Sequence, residues 1–406
     1  MSELYSLPKG WEWKKLEDLF TITSSKRVLK EDWLEKGIPF YRAREIVKLS
    51  QNGFVDNELF ISEEMYNSFS KKYGLPKVND ILVTGVGTLG ITYIVKENEK
   101  FYFKDGNIIW LKNDSNTNSK YIEYGFQTEF LKNQINSNSG STVATYTITN
   151  ANNTIIPIPP LEEQKRIVAK LDILFAKIDK AIALHQKNID EANIFMASVL
   201  NDVFVELEEK YSSKTVYELC TKITDGTHST PKYIDSGIPF LSVKNISQGV
   251  ISFDDTKFIS IEEHNLLSKR CNVEKNDILY TKVGTTGIAK VVDTDIEFSI
   301  FVSIALLKPK KDLISSMYFQ HILNSPNCYE QSQSRTRGVA NRNLVLNDIK
   351  QIFFPLPPLK TQQKVVSYLD EISNKMEKIK NLQKEKMQSL KELKASILDK
   401  AFKGEL

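Results

Sequence analysis

The 406-residue chain has only 3 cysteines, Cys220, Cys271 and Cys328. They are odd in number, far apart and never in a CxxC pair, which excludes a disulfide framework and a thiolate zinc site. The 4 histidines, His185, His228, His264 and His321, do not cluster with them, so no metal is expected. No stretch approaches the roughly 18 apolar residues of a membrane span. The opening MSELYSLPKGWEWKKL lacks the apolar core of a secretory leader. A reducing cytoplasm and no membrane partner are therefore expected. There is no GxxxxGK[ST], GxSxG or HExxH, and no asparagine-proline-proline-aromatic methyltransferase signature. Nucleotide hydrolysis, serine-hydrolase, zincin and methyl-transfer chemistry within this chain are excluded on that basis. Charge of one sign is also scarce: 54 Lys and Arg face 51 Asp and Glu, a net charge of +3. Nucleic-acid binding then depends on where the basic residues gather.

What the chain does have is a repeat. GIPFYRAREI from Gly37 returns as GIPFLSVKNI from Gly237, and NDILVTGVGTLGI from Asn79 returns as NDILYTKVGTTGI from Asn276. IPIPPLEEQKRIVAKLD, ending at Asp172, returns as FPLPPLKTQQKVVSYLD, ending at Asp370. Offsets of 200, 197 and 198 make the echo colinear. Each copy is domain-sized, and two copies in one chain imply an internal pseudo-twofold. Short β-branched and aromatic runs (DILVTG, ITYIVKE, YFKDGNIIWL; DILYTK, IAKVV, FSIFVSIALLK) read as strands. SKYIEYGFQTEFLKNQI and SSMYFQHILNS read as helices. The fold class is α+β: two tandem, similar α/β domains, 1–160 and 209–358, and two long helices, 161–208 and 359–406.

The helices begin after Pro159-Pro160 and Pro357-Pro358, where proline is tolerated at a helix start. A seam spaced 3-4-3-4 runs through Val168, Leu171, Phe175, Ile178, Ile182, His185, Ile189, Ala192, Met196 and Val199. A second runs through Val365, Leu369, Ile372, Met376, Ile379, Gln383, Lys386, Leu390, Leu393 and Ile397. The seams predict an antiparallel coiled coil, in which His185 and Gln383, 198 apart, form a polar layer at the dyad.

GVGTLG matches GxGxxG, but the strand-like ITYIVKE follows it where a dinucleotide site needs a helix. Its twin KVGTTG carries Lys282 in place of the first glycine. Both versions fit a turn between strands.

The polar side chains suited to DNA are Lys26, Arg27, Arg42, Arg44, Lys48, Lys71 and Lys72 in the first copy. In the second they lie in DGTHSTPKY (Thr227, His228), at Lys244, Asn245, Lys269, Arg270 and Lys282, and in SRTRGVANRN (Arg335, Arg337, Asn341, Arg342, Asn343). Their sequence contexts read as strands and loops. Arg forks match guanine O6/N7 and Asn matches adenine N6/N7, while Lys and Thr serve phosphates. The copies agree at turn glycines, at NDIL and at the Pro-Pro junction. They differ at YRAREI against LSVKNI, and at GSTVATYT from Gly140 against GVANRNLV from Gly338.

On GWEWKKLEDL, DGTHSTPKY, the paired NDIL…GxxG segments and the twin Pro-Pro-Leu helices, the chain resembles the specificity (S) subunit family of type I restriction–modification enzymes (HsdS) over essentially its full length. The resemblance implies two target-recognition domains, each reading one half of a split, asymmetric site in double-stranded DNA. The helices would be a ruler and a platform for two methyltransferase (M) subunits that methylate adenine N6. Endonuclease/translocase (R) subunits would join them, and a phage DNA-mimic inhibitor could occupy the same groove. S-adenosylmethionine, ATP and Mg would sit on the partners, with no cofactor and no catalysis on this chain. Two other readings remain at this point: a methylation-only or phage-defence complex without a nuclease, and a duplicated coiled-coil adaptor that binds proteins.

Overall fold

The structure, a computed structural model, describes residues 4–137, 144–338 and 342–406. The chain divides into two compact units, residues 1–184 with 385–406 and residues 185–384. In the first unit a four-stranded antiparallel sheet runs Thr21–Thr23, Ile108–Lys112, Ile81–Thr84, Thr92–Ile94. A second sheet runs Phe60–Ile61, Ile38–Tyr41, Tyr102–Phe103, and its last pair is parallel. Glu12–Lys15 pairs with Ile155–Ile158. The second unit repeats this order: Cys220–Asp225, Ile304–Pro309, Ile278–Thr281, Ala289–Val291; then Lys257–Ile259, Ile238–Leu241, Ser299–Ile300; then Ser213–Thr215 with Phe353–Pro355.

Alternation explains why the central strands are continuously apolar. Ile81, Val83, Ile109 and Leu111 enter one core with Tyr121, Ile156 and Leu171. Leu82, Ile108 and Trp110 enter another with Ile46 and Phe103. Side chains alternate across a strand, so a sheet covered on both faces needs apolar residues at every position. Ile278, Tyr280, Ala305 and Leu307 against Leu279, Ile304 and Leu306 do the same in the second unit.

The repeated residues are nodes of this frame. Asn79 and Asn276 hold positive φ angles of 72° and 74°. Asp80 accepts from Lys77 N at 2.8 Å, and Asp277 from Glu274 N at 2.9 Å. Tyr121 and Tyr318 each donate to a proline carbonyl, Pro157 O and Pro355 O, at 2.8 Å. GVGTLG and KVGTTG are hairpin turns between antiparallel strands. Gly87, Gly90, Gly284 and Gly287 there have φ between 72° and 90°, a region only glycine enters at no cost.

Two strand readings change. YFKDGNIIWL is two strands in different sheets, Tyr102–Phe103 and Ile108–Lys112, because Gly106 turns the chain at φ 69°. FSIFVSIALLK likewise divides into Ser299–Ile300 and Ile304–Pro309. SKYIEYGFQTEFLKNQI forms two helices, Ser119–Gln127 and Glu129–Ser137, broken at an extended Thr128.

The long helices span Leu161–Lys210 and Leu359–Phe402. The second stops short of residue 406 because Gly404, at φ 74°, closes it with a bond from Glu405 N to Lys400 O, a glycine C-terminal cap. Within each unit their segments run antiparallel. Arg166 meets Leu406 O and Asp179 meets Lys394 in the first unit. In the second, Phe204 and Leu207 share a core with Leu369, and His185 Nδ1 lies 2.5 Å from Gln383 Oε1.

The first predicted seam is buried or half-buried at every position. The second is corrected at three. Ile379, Lys386 and Leu393 face solvent, while Lys380, Met387 and Lys394 are the half-buried residues. A step of 4-4 through Ile372, Met376 and Lys380 replaces the strict heptad. An α-helix has 3.6 residues per turn, so a fixed 3.5 spacing drifts. The stems of the lysines cover the seam, as Lys394 does with Nζ on Asp179 at 2.7 Å and 4.7 Å from the Phe175 ring centre.

All three cysteines are buried and free. Burial pushes the thiols of Cys220 and Cys328 up to about 12 and that of Cys271 up to about 11. They are protonated, inert core groups at neutral pH. Among the described residues no helix is long and apolar enough to cross a membrane.

Candidate nucleic-acid interface

The dispersed basic residues of the second copy converge at one end of the four-stranded sheet. There, strands Cys220–Asp225 and Ile278–Thr281 end and Ile304–Pro309 begins. Backbone bonds knit the converging loops. Thr227 N donates to Ile300 O (3.1 Å), Lys282 N to Ser303 O (3.0 Å), Gly284 N to Arg342 O (2.9 Å) and Leu344 N to Lys282 O (2.7 Å). Val243 N donates to Ser303 Oγ at 3.0 Å, which brings in the Lys244 turn. Thr227, His228, Lys244, Lys282, Arg342 and Asn343 are thereby gathered from segments up to about 115 residues apart. Arg337 joins through a bridge to Asn343 and is 74% exposed at its side chain. Arg335 instead ends the helix Pro326–Arg335 and donates to Gln331 O. Asn341 and the segment 140–143 lie outside the described residues.

Two candidates are corrected from DNA contacts to internal supports. Asn245 is 4% exposed, and its Oδ1 accepts from Ser242 N at 2.9 Å, closing a 3-10 turn. Lys282 is 6% exposed, and its Nζ lies 3.1 Å from Asp225 Oδ2. Removing one partner of such a buried pair leaves an uncompensated charge, a cost of about 3–5 kcal/mol. The two should therefore occur together or not at all. The sheet registers bear this out: Asp225 faces Ala305 and Thr23 faces Trp110, so the first copy has Ser24 where the second has Asp225. It has Gly85 where the second has Lys282.

In the first copy the same sheet end gathers Lys26, Arg27 and Arg42. Ser25 Oγ donates to Phe103 O, Arg27 Nε to Asp105 Oδ2 at 3.1 Å, and Lys104 N to Tyr41 O at 2.8 Å. With neither ion-pair partner present, a cavity of about 400 Å³ opens beside Ser24 and Gly85, edged by Thr145, Tyr146, Thr147 and Thr149. Lys26 and Lys72 lie 5.9 and 5.4 Å from the ring centre of Tyr73, which is 38% exposed. An exposed ring flanked by cations is a platform on which a base or sugar can stack. The tyrosine gave no signal in the sequence beyond its place next to Lys71 and Lys72.

Arg44, Lys48, Lys71 and Lys72 stand on helices, Ala43–Asn52 and Glu63–Tyr73, not on strands or loops. Arg42 N donates to Glu45 Oε2 at 2.9 Å, a cap that starts the first helix. The Arg42 guanidinium bonds the same carboxylate, and Arg44 bonds both Glu45 and Glu58. Burial opposes ionisation of Glu45, but the bonds from Arg42 and Arg44 outweigh it and hold its carboxyl below the usual range. Arg42 is thus committed to the fold, whereas Lys48, Lys71 and Lys72 are exposed.

A twice-built α+β domain, each copy followed by a long helix and presenting a different polar surface at the same sheet end, defines a duplicated scaffold. The chain belongs to the family described as type I restriction modification DNA specificity domain, whose model matches residues 8–193 and 208–386. The EcoBI specificity subunit of Escherichia coli is 29% identical over 298 residues, 67% of this chain and 63% of the relative. The EcoKI specificity subunit of Escherichia coli K12 is 27% identical over 278 residues, 62% and 57% of the two chains. The chain thus spans about three fifths of these relatives. Its fold is shared by a chain of a solved type I R-M system, 22% identical, with TM-score 0.75 and coverage of 99% and 100%. The HsdS subunit of Thermoanaerobacter tengcongensis also shares it, at 21% identity, TM-score 0.55 and 99% coverage of each chain.

Proposed function

We propose that this chain reads double-stranded DNA at a split, asymmetric site, each domain contacting one half through its polar sheet end. The observation that carries the reading is the pairing of one frame with two different polar sets. Lys26, Arg27, Lys72 and Tyr73 line the first copy, and His228, Lys244, Arg337 and Arg342 line the second. A shared frame conserves the approach to the duplex, and different side chains read different bases. Membership of the specificity-domain family supports this reading. In it, the chain does no chemistry itself. It positions methyltransferase subunits, which carry S-adenosylmethionine, and endonuclease subunits, which use ATP and Mg, in the cytoplasm.

The test is a map of methylated adenines in cells that carry the chain with its partner subunits. Arg337→Ala with Arg342→Ala should relax base preference at one half-site by about 1–3 kcal/mol per lost base contact. Lys26→Ala with Arg27→Ala should affect the other half only. Simultaneous loss at both halves would contradict two independent readers.

The helices serve in the same reading as a ruler. Four residues inserted after Gln186 add about 6 Å of helix, close to two base pairs at roughly 3.4 Å each. The preferred gap between half-sites should lengthen accordingly in methylation assays on duplexes of varied spacer. An unchanged gap rules the ruler out.

A further inference from the structure

We propose that Asp225 is a positioning residue for a phosphodiester site in the second domain, in which Arg270 and His228 take the DNA backbone. This rests on the DNA-reading function proposed above.

Asp225 is 4% exposed and lies among three nitrogenous side chains. Arg270 Nη2 donates to its Oδ1 at 2.7 Å, to its backbone O at 2.6 Å and to Gly226 O at 2.7 Å. Lys282 Nζ donates to Oδ2 at 3.1 Å, and His228 Nε2 lies 3.3 Å from Oδ1. One carboxylate thus meets two permanent cations, leaving one positive charge unbalanced where the sheet end screens it poorly.

The geometry directs that charge outward. Every bond that fixes Arg270 uses Nη2, so Nε and Nη1 have no partner among the described residues. Its side chain is 55% exposed and that of His228 is 64% exposed. Both line a half-open cavity of about 380 Å³, with Thr227 and Ser299 as further polar walls and Leu266 and Leu267 as apolar ones. A guanidinium anchored through Nη2 with its Nε and Nη1 N–H groups free, an imidazole and a hydroxyl around such a cavity suit a phosphate with its sugar, since each free N–H can make a charge-assisted bond to a phosphate oxygen. Asp225 need not touch the DNA: it sets the angle of Arg270 and anchors the start of the loop that carries His228. The first copy has Ser24 and Gly85 at the two buried positions, so the site belongs to the second domain alone.

The test uses the full chain and a fluorescent mixed-sequence duplex, titrated between 50 and 200 mM salt. A lost phosphate contact lowers the slope of log affinity against log salt by about 0.9. Arg270→Gln, a change at a half-exposed side chain, should lower the slope by about that amount and weaken binding roughly tenfold. Asp225→Asn also strands Lys282, so its binding is read per folded molecule after thermal unfolding has given the folded fraction. So read, it should lower the slope alike, and the double variant should be no worse than Arg270→Gln alone, because both act on DNA through one contact. A general loosening of the domain would instead leave the slope intact and add to the Arg270 effect. An unchanged slope in Arg270→Gln or Asp225→Asn, or additive losses, overturns the proposal while DNA reading stands. Absence of salt-dependent binding by the unmutated chain overturns DNA reading and the phosphate site together.

Discussion

Gly226→Ser is expected to destabilise the second domain by about 3 kcal/mol or more and, under the function proposed above, to abolish that domain's DNA reading, while Ser25→Gly in the first is tolerated. A Cβ on Gly226 would lie 1.9 Å from Ile300 O, 2.4 Å from Ile300 C and 2.6 Å from Phe301 C. All three are backbone atoms, so no rotamer change relieves the clash. The opposing segment cannot retreat, because Ile300 O accepts from Thr227 N at 3.1 Å and Phe301 N donates to Leu241 O at 2.8 Å. Forcing atoms into a packed region costs typically 1–3 kcal/mol, and the upper end or beyond applies where the backbone itself must part. The registers set Phe103 where the second copy has Ile300, each following the residue paired with the same GIPF strand. There Ser25 Oγ donates to Phe103 O at 2.6 Å, so the first loop stands off far enough to hold a side chain. Thermal unfolding of Gly226→Ser and Ser25→Gly, with methylation of each half-site, checks this. A serine at 226 that leaves both the melting temperature and the second half-site unchanged would refute it.

That contrast also separates what the sequence disclosed from what it hid. The frame was legible because its nodes need particular residues wherever they occur. Glycines at positive φ, the asparagine of NDIL and proline before a long helix are local demands, and they recur at fixed offsets. The reading of GVGTLG as a hairpin turn followed from the same logic, since its twin has Lys282 where a cofactor fingerprint needs glycine. The site was legible only as a list of basic residues. Whether a cation faces water depends on partners far away in sequence. Lys282 reaches Asp225, 57 residues earlier, and Arg44 reaches Glu58 across a turn. The helix Ala43–Asn52 was missed because its cap is Arg42 bonded with Glu45, and arginine is not a residue read as an N-terminal cap. On the second long helix the seam is displaced by one residue at 379, 386 and 393, where the stems of Lys380 and Lys394 cover apolar surface, which a count of apolar residues cannot register.

Gln362→Ala is expected to cost about 3–5 kcal/mol, more than Gln164→Ala at the equivalent position. Both glutamines come from the Pro-Pro-Leu junction, where the sequence marks only a helix start. Gln362 is fully buried, and its amide is saturated by backbone. Oε1 accepts from Ser315 N at 2.8 Å, and Nε2 donates to Leu313 O and Pro357 O, each at 2.8 Å. The side chain thereby ties the start of the long helix to the segment that caps helix Ser316–Leu323. Alanine would leave three backbone groups without a partner and too little room for water to replace the amide. Each unsatisfied buried group costs about 1–3 kcal/mol, so even the low end sums to a large fraction of a domain's stability of about 5–15 kcal/mol. Gln164, 4% exposed, has two such bonds, from Asn118 N and to Pro159 O, each at 2.9 Å. Its loss should therefore be the smaller by about one such group. Glutamate is a sharper probe than alanine. It keeps the shape and the bond from Ser315 N but faces Leu313 O and Pro357 O with an acceptor, so Gln362→Glu should be destabilised at neutral pH and recover as acid protonates the carboxyl. Denaturant unfolding of the three variants between pH 5 and 8 measures these differences. Equal losses at 164 and 362, or a glutamate variant indifferent to pH, would show that the junction is held by packing and not by the amide.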